Sequence, residues 1–279
     1  MIVTGIHGFI GQRAVAQLQA EVFPHELLYL DYGTASARDT LRRWACETAP
    51  DVIIHTAAIS DIGACERNPE VSYRANVLLP EALAAACAAC GARLVAFSSD
   101  QVYTGAADDG PYTEDALLPP PTNVYARHKL EAEQRVLAAD PSAVLLRATW
   151  MYDMPLYGHA NRGNFLMNTL RAAALGQPVI VHDQHRAVTY ARQVVALLPA
   201  AAVLPGGVYN YGSENPLTMA DTAQALLDAF GLHAAIVPSG EHRHALWMDC
   251  SRLAAQGLRF DTTAEGFRRC AADYGMDAR

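Results

Sequence analysis

Residues 1–11 read MIVTGIHGFIG: a β-branched run, then glycines at positions 5, 8 and 11. Glycine at a strand-to-helix junction permits a tight turn, lets backbone approach a pyrophosphate, and lets the helix pack closely on the strand. A helix N-terminus placed there turns its free N–H groups toward phosphate oxygens. A strand near Met1–Thr4 and a helix near Gln12–Gln19 therefore predict a dinucleotide loop made of Gly5, His7, Gly8, Phe9, Ile10 and Gly11, in which His7 shapes the loop rather than catalyses. Asp31 follows the next apolar run, 20 residues beyond Gly11. A carboxylate there accepts hydrogen bonds from the ribose hydroxyls and repels a 2′-phosphate, so NAD(H) is expected over NADP(H), with NADP(H) still admissible.

Working outward, short β-branched runs alternate with Ala/Leu-rich stretches. This predicts strands near Glu26–Leu30, Val52–His55, Leu94–Ser98 and Ala143–Arg147, and helices over Ala37–Ala49, Pro80–Cys90 and Val124–Ala138, with Asp39 in the first turn of the Ala37 helix. The alternation is that of βαβ units and a parallel sheet, so the expected fold is a Rossmann-type, doubly wound α/β domain over residues 1–149. Residues 150–279 are less regular, with helices near Phe165–Leu175, Met219–Phe230 and Ala264–Tyr274 and a strand at Val179–His182. They are expected to form a smaller substrate-binding lobe, some segments returning to the first domain. The Asp-, Gly- and Pro-rich stretch 107–122 reads as an irregular loop of the kind that borders active sites.

Three further segments carry chemistry. DVIIHTAAISD ends a buried strand in the small residues Ala57 and Ala58, leaving room for a flat cofactor across the strand ends. VAFSSDQVYTG ends another in Ser99 and Asp100, which are expected to face the substrate. In PTNVYARHKLEAE, Tyr125 and Lys129 stand four apart and share one face of a helix. A phenol with an ordinary pKa of about 10 is a poor proton donor at neutral pH, and an adjacent ammonium is expected to lower that value. Tyr125 would then exchange a proton with a carbonyl or alkoxide oxygen held by Ser99, while Lys129 also reaches the nicotinamide ribose. Of 21 basic residues only Lys129 is a lysine. With 12 tyrosines in 279 residues, a lone lysine placed at random would fall four after a tyrosine roughly one time in twenty-three.

Composition narrows the function classes. Hydrophobic residues make up 51% and charged ones 18%, with no apolar run long enough to span a bilayer and no leader-like start, so a soluble cytoplasmic protein is expected. The formal charge of −8 disfavours nucleic acid and anionic membranes as partners. The six cysteines are scattered in apolar contexts and are expected as reduced thiols, including Cys87 and Cys90 of the one C-x-x-C. His182 with His185, and His242 with His244, have loose metal-like spacing, but no carboxylate or Cys joins them, so no metal is expected.

The ordered series TGIHGFIG, PDVIIHTAA, RANVLLPEALAAAC, FSSDQVYTG, PTNVYARHKLEAE, LLRATWMY, GNFLMNTLRAA and VTYARQVV resembles the extended short-chain dehydrogenase/reductase family, most closely its sugar-nucleotide branch of dTDP-4-dehydrorhamnose reductases. The resemblance implies Ser99, Tyr125 and Lys129 as the catalytic set, Asn76 near the cofactor, and Trp150, Asn164 and Phe165 in a sugar-nucleotide pocket. It implies reduction of a nucleotide-sugar ketone by a nicotinamide cofactor, with a homodimer admitted. Related dehydratases carry Thr-Asp-Glu where this chain has Ser99-Asp100-Gln101, so it looks unlike a dehydratase. The chain departs from the branch at Arg186–Tyr190, where Gly-Ser-Pro-Thr-Tyr is usual, at Arg243-His244, where Arg-Pro is usual, and in a short segment between Asp31 and Asp39. Two other readings stay open: a non-catalytic regulatory subunit like that of methionine adenosyltransferase, and a sugar-nucleotide epimerase.

Overall fold

The computed structural model describes residues 1–106, 108, 110–116, 119–156, 163–242 and 245–277. In chain order the elements are β1 Ile2–Thr4, α1 Phe9–Leu18, β2 Glu21–Val22, a 3-10 helix His25–Tyr29, α2 Ala35–Thr48, β3 Val52–His55, α3 Ile62–Arg67, α4 Pro69–Tyr73 and α5 Leu79–Cys90. They continue with β4 Arg93–Ser99, α6 Val124–Ala139, β5 Val144–Ala148, β6 Trp150–Tyr152, α7 Phe165–Ala174, β7 Val179–Asp183 and β8 Val188–Tyr190. Last come α8 Ala191–Ala196, α9 Leu198–Ala201, β9 Gly207–Tyr211, α10 Met219–Ala229, β10 Ile236–His242, α11 Ser251–Ala255 and α12 Thr263–Asp273.

Six strands form one sheet in the order β2-β1-β3-β4-β5-β9. The pairs β1 with β2, β1 with β3, and β3 with β4 are parallel, with register Ile2↔Ile53 and Ile54↔Val95 among others. Parallel strands need crossovers, and α1, α2, α5 and α6 occupy the intervening chain. This is a Rossmann-like α/β fold. Its core joins Ile53 and Leu94 of the sheet to Leu41 of α2 and Leu83 of α5, all fully buried. Each such side chain contributes about 1.5–3 kcal/mol of burial.

The chain divides into two compact units. The first comprises Met1–Gly105, Leu118–Arg147 and Val195–Tyr209, and the second Ala106–Leu117, Ala148–Val194 and Asn210–Arg279. The second unit has its own core of Tyr152, Leu166, Leu226 and Phe267, and two short parallel ribbons, β10 with β7 and β6 with β8. Among the described residues no helix is long and apolar enough to cross a membrane.

The main correction concerns the second strand. Of residues 26–30, expected extended, all but Leu30 lie in the 3-10 helix His25–Tyr29, and the strand beside β1 is only Glu21–Val22. Phe23 donates the last ladder hydrogen bond to Val3 O at 3.0 Å. Pro24 has no N–H to continue it, and at φ −55° it caps the 3-10 turn instead. A second correction follows from Thr34, whose side chain accepts from Ala37 N and starts α2 at Ala35. Asp39 is therefore past the first turn, and it pairs with Arg42 and Arg43 on its own helix.

Candidate active site

Three neighbouring parallel strands end on the same edge of the sheet: β1 runs into the glycine loop, β3 into Ala57 and Ala58, and β4 ends on Ser99. Ligands of open α/β sheets bind at such carboxyl edges. The loop has no space for side chains at Gly5 and Gly11. Gly5 has φ +69°, and a Cβ there would sit 2.6 Å from Ala57 N. A Cβ on Gly11 would lie 2.7 Å from both Gly5 C and Thr56 Oγ1. Gly8 is the N-cap of the ten-residue α1 and supplies no side-chain cap, so the first-turn N–H groups face outward. Such a cradle fits a pyrophosphate.

Thr4 holds the loop and the β3 turn together. Its Oγ1 accepts from Thr56 N and Ala57 N, both at 3.1 Å, so its hydrogen goes to His55 Nδ1 at 2.9 Å. His55 is buried, and burial together with the charge of Lys129 pulls its pKa down to about 3, so it is neutral.

A cavity of about 500 Å³ lies against the loop. Of the sequence candidates, Gly5, His7, Gly8, Ala57 and Ala58 line it, while Phe9, Ile10 and Gly11 continue into α1. Asp31 does not line it. Its carboxylate is exposed and accepts from Gly33 N at 3.2 Å. The opposite wall is Phe23, His25, Leu28 and Tyr29. Sequence reasoning missed that wall because it read the 3-10 helix as a strand. Asn76 is not in the lining either: its amide grips Ile59, donating to Ile59 O and accepting from Ile59 N, both at 3.0 Å, and so fixes the chain just beyond Ala58.

Ser99, Tyr125 and Lys129 come together in the first unit. Asn123 caps α6 through a 2.8 Å bond from Ala126 N, placing Tyr125 in the first turn and Lys129 one turn later. Ser99 Oγ donates to Asp100 Oδ1 at 3.2 Å and hydrogen-bonds the Tyr125 hydroxyl. Lys129 Nζ donates to Phe97 O at 2.8 Å and stands 5.9 Å from the Tyr125 ring centroid. Burial pushes the Tyr125 phenol well above its ordinary value, and the Ser99 hydrogen bond draws it partly back. The expected lowering of Tyr125 by Lys129 does not appear: burial outweighs the Ser99 bond, and the charges of Asp100 and Cys65 raise the phenol further. Burial also brings Lys129 down to about 8, opposed by Glu133.

Behind this set lies a second buried network that sequence reasoning did not name. Glu133 receives Arg147 bidentately, at 2.9 and 2.6 Å, and also Ser98 Oγ, while Arg147 donates to Tyr103 Oη at 2.8 Å. The available signal was spacing, since Tyr125, Lys129 and Glu133 recur every four residues on one face of α6.

Trp150, Asn164 and Phe165 lie in the second unit around a separate cavity of about 620 Å³. Asn164 caps α7, accepting from Met167 N at 3.0 Å and donating to Asp153 O at 2.8 Å. The buried Arg186 lays its guanidinium 3.7 Å from the Trp150 ring centroid. Its neighbours Val188–Tyr190 pair with Trp150–Tyr152 as β8 and β6, so the last three residues of the divergent stretch are a strand. Arg243 and His244 lie outside the described residues, and of His242 only the backbone is described.

Residues 1–251 match the family model described as the RmlD substrate binding domain. The chain is 32% identical over 253 residues to a dTDP-4-dehydrorhamnose reductase of Mycolicibacterium smegmatis, covering 88% of this chain and 73% of that protein. It is 27% identical to methionine adenosyltransferase 2 subunit beta of Xenopus laevis, covering 92% and 82%. In fold it matches the crystal structure of a Bacillus anthracis dTDP-4-dehydrorhamnose reductase in complex with NADP, at TM-score 0.81 and 21% identity over 98% of this chain and 97% of that one. With the family model spanning most of its length and a relative above 30% identity, the chain belongs to the RmlD substrate binding domain family.

Proposed function

We propose that this chain reduces a ketone on a nucleotide-linked sugar, using a nicotinamide dinucleotide held by the glycine loop. The observation that carries this reading is the shared sheet edge, where the phosphate cradle, the small residues Ala57 and Ala58, and Ser99 end adjacent strands. When bound, the dinucleotide supplies a hydride. Tyr125, protonated through its burial, would give a proton to the ketone oxygen, and Ser99 would orient that oxygen. Lys129 holds a donor one helical turn from Tyr125, with Phe97 O fixing its position. Asp100 adds negative charge beside Ser99 and keeps its hydroxyl oriented. The second unit would receive the sugar nucleotide in the cavity lined by Trp150, Asn164 and Phe165. NADP(H) fits this reading as well as NAD(H), because the carboxylate expected to exclude a 2′-phosphate stands outside the cavity lining.

The test is consumption of NADH or NADPH with a panel of nucleoside-diphosphate 4-keto-6-deoxysugars. Turnover with at least one, abolished or nearly so in Tyr125→Phe, is expected. No turnover across dTDP, UDP and GDP forms, alongside tight binding to another protein, would favour the regulatory-subunit reading that the likeness to the methionine adenosyltransferase subunit raises. Interconversion of sugar epimers with no net cofactor consumption would favour an epimerase.

A further inference from the structure

The cavity of the first unit has one wall of backbone and one of side chains. The glycine loop and Ala57–Ala58 form the first. The second follows the end of β2, where Phe23 is buried and the 3-10 helix presents His25 and Tyr29, both exposed. The His25 and His7 rings meet edge-on with centroids 6.1 Å apart, so an imidazole from each side reaches the same part of the cavity. Tyr29 Oη lies 3.4 Å from His25 Nε2. Among the described residues no Asp, Glu, Arg or Lys lines this cavity.

In dinucleotide-binding sheets the residues just after the second strand meet the adenosine ribose: a carboxylate there binds the 2′-hydroxyl and rejects a 2′-phosphate, whereas a cationic donor accepts it. This chain truncates β2 at Val22, and Pro24 turns the following residues into the 3-10 helix. The position is therefore taken by an imidazole. We propose that His25, with His7 opposite it, receives the 2′-phosphate of NADP(H), so that the chain binds NADPH at least as tightly as NADH. The proposal rests on the dinucleotide reading of the cavity and adds its specificity. Two imidazoles can each donate one N–H to phosphate oxygens, and hydrogen bonds to a charged group are the stronger kind. Asp31 takes no part.

The experiment is direct binding, by fluorescence titration of NADPH and NADH against the whole chain and the His25→Ala, His7→Ala, His25→Asp and Asp31→Ala variants. Both histidines are exposed, so the substitutions leave the core intact. In the unaltered protein NADPH is expected to bind as well as NADH or better. His25→Ala should weaken NADPH about tenfold, the scale of one charge-assisted hydrogen bond, with NADH changed by less than about twofold. His7→Ala should do the same to a smaller degree, His25→Asp should reverse the preference, and Asp31→Ala should leave the ratio where it was. If NADH is strongly preferred and Asp31→Ala narrows the gap, or if the NADPH to NADH ratio ignores both histidines, the proposal is overturned while the dinucleotide reading stands. If neither dinucleotide binds, the dinucleotide reading fails and this proposal with it.

Discussion

Helix α6 carries two buried polar clusters on one face, and they differ in what they leave for chemistry. At its start, Tyr125 and Lys129 reach Ser99 and Phe97 at the carboxyl end of β4. One turn beyond Lys129, Glu133 takes two bonds from Arg147 and one from Ser98, with Tyr103 closing the far side of the guanidinium. The same helix periodicity produces both. In the Glu133 cluster opposite charges meet with satisfied geometry, which fixes the helix on β4 and β5. In the Tyr125 cluster desolvation dominates: the phenol is pushed up and the ammonium is brought down to about 8. Perturbation dominated by burial, opposed at Lys129 only in part by Glu133, distinguishes the end proposed to be reactive from the anchoring end.

The largest effect expected from breaking this contrast is at the anchoring end. Glu133→Ala strands the Arg147 guanidinium, which is 7% exposed, and removal of one partner of a buried pair costs about 3–5 kcal/mol. Urea unfolding should show that loss. A change below about 1 kcal/mol would mean that the Glu133 cluster does not anchor the helix.

Next in size is the pH dependence contributed by Lys129. Its ordinary value is 10.5 and its folded value about 8, so between these the unfolded chain binds the extra proton and stability rises with pH. The contribution is complete above about 10.5 and is lost as pH falls through about 8. It amounts to roughly 3 kcal/mol. Lys129→Met should flatten the unfolding free energy between pH 8 and 10 relative to the unaltered protein. An unchanged slope would show that the ammonium is solvated rather than desolvated.

Much of the first unit was legible in the sequence because its signals are local. Three glycines fix the β1–α1 turn by backbone contact, and long Ala/Leu stretches such as Leu79–Cys90 admit only a helix. The second strand was not legible, since Leu27-Leu28-Tyr29-Leu30 is apolar without alternation and such short runs suit strand or helix equally. Pro24 decides the matter by removing a ladder donor, and that single residue moved Asp31 off the cavity wall and put His25 on it. The strands β6, β8, β9 and β10 were missed because each is defined by a distant partner, as Trp150 is by Val188, rather than by its own pattern. The catalytic candidates were found because Tyr125 and Lys129 share a helix turn. The Glu133–Arg147 pair, split between α6 and β5, has no such local signature beyond the third step of the same spacing.

The smallest change in structure gives the most direct test of the central claim. Tyr125→Phe removes one hydroxyl and keeps the ring, so stability should move by about 1 kcal/mol or less, the net worth of one hydrogen bond. Dinucleotide affinity should stay nearly level. Turnover of a nucleotide-sugar ketone should nonetheless fall by about 10²–10⁴-fold, the usual contribution of a general acid. The measurement is the rate of NADH or NADPH oxidation by the purified variant beside its binding constant for the same cofactor. A large rate loss at unchanged affinity is the predicted result, and a Tyr125→Phe protein that retains near-normal turnover would contradict the assignment of proton transfer to Tyr125.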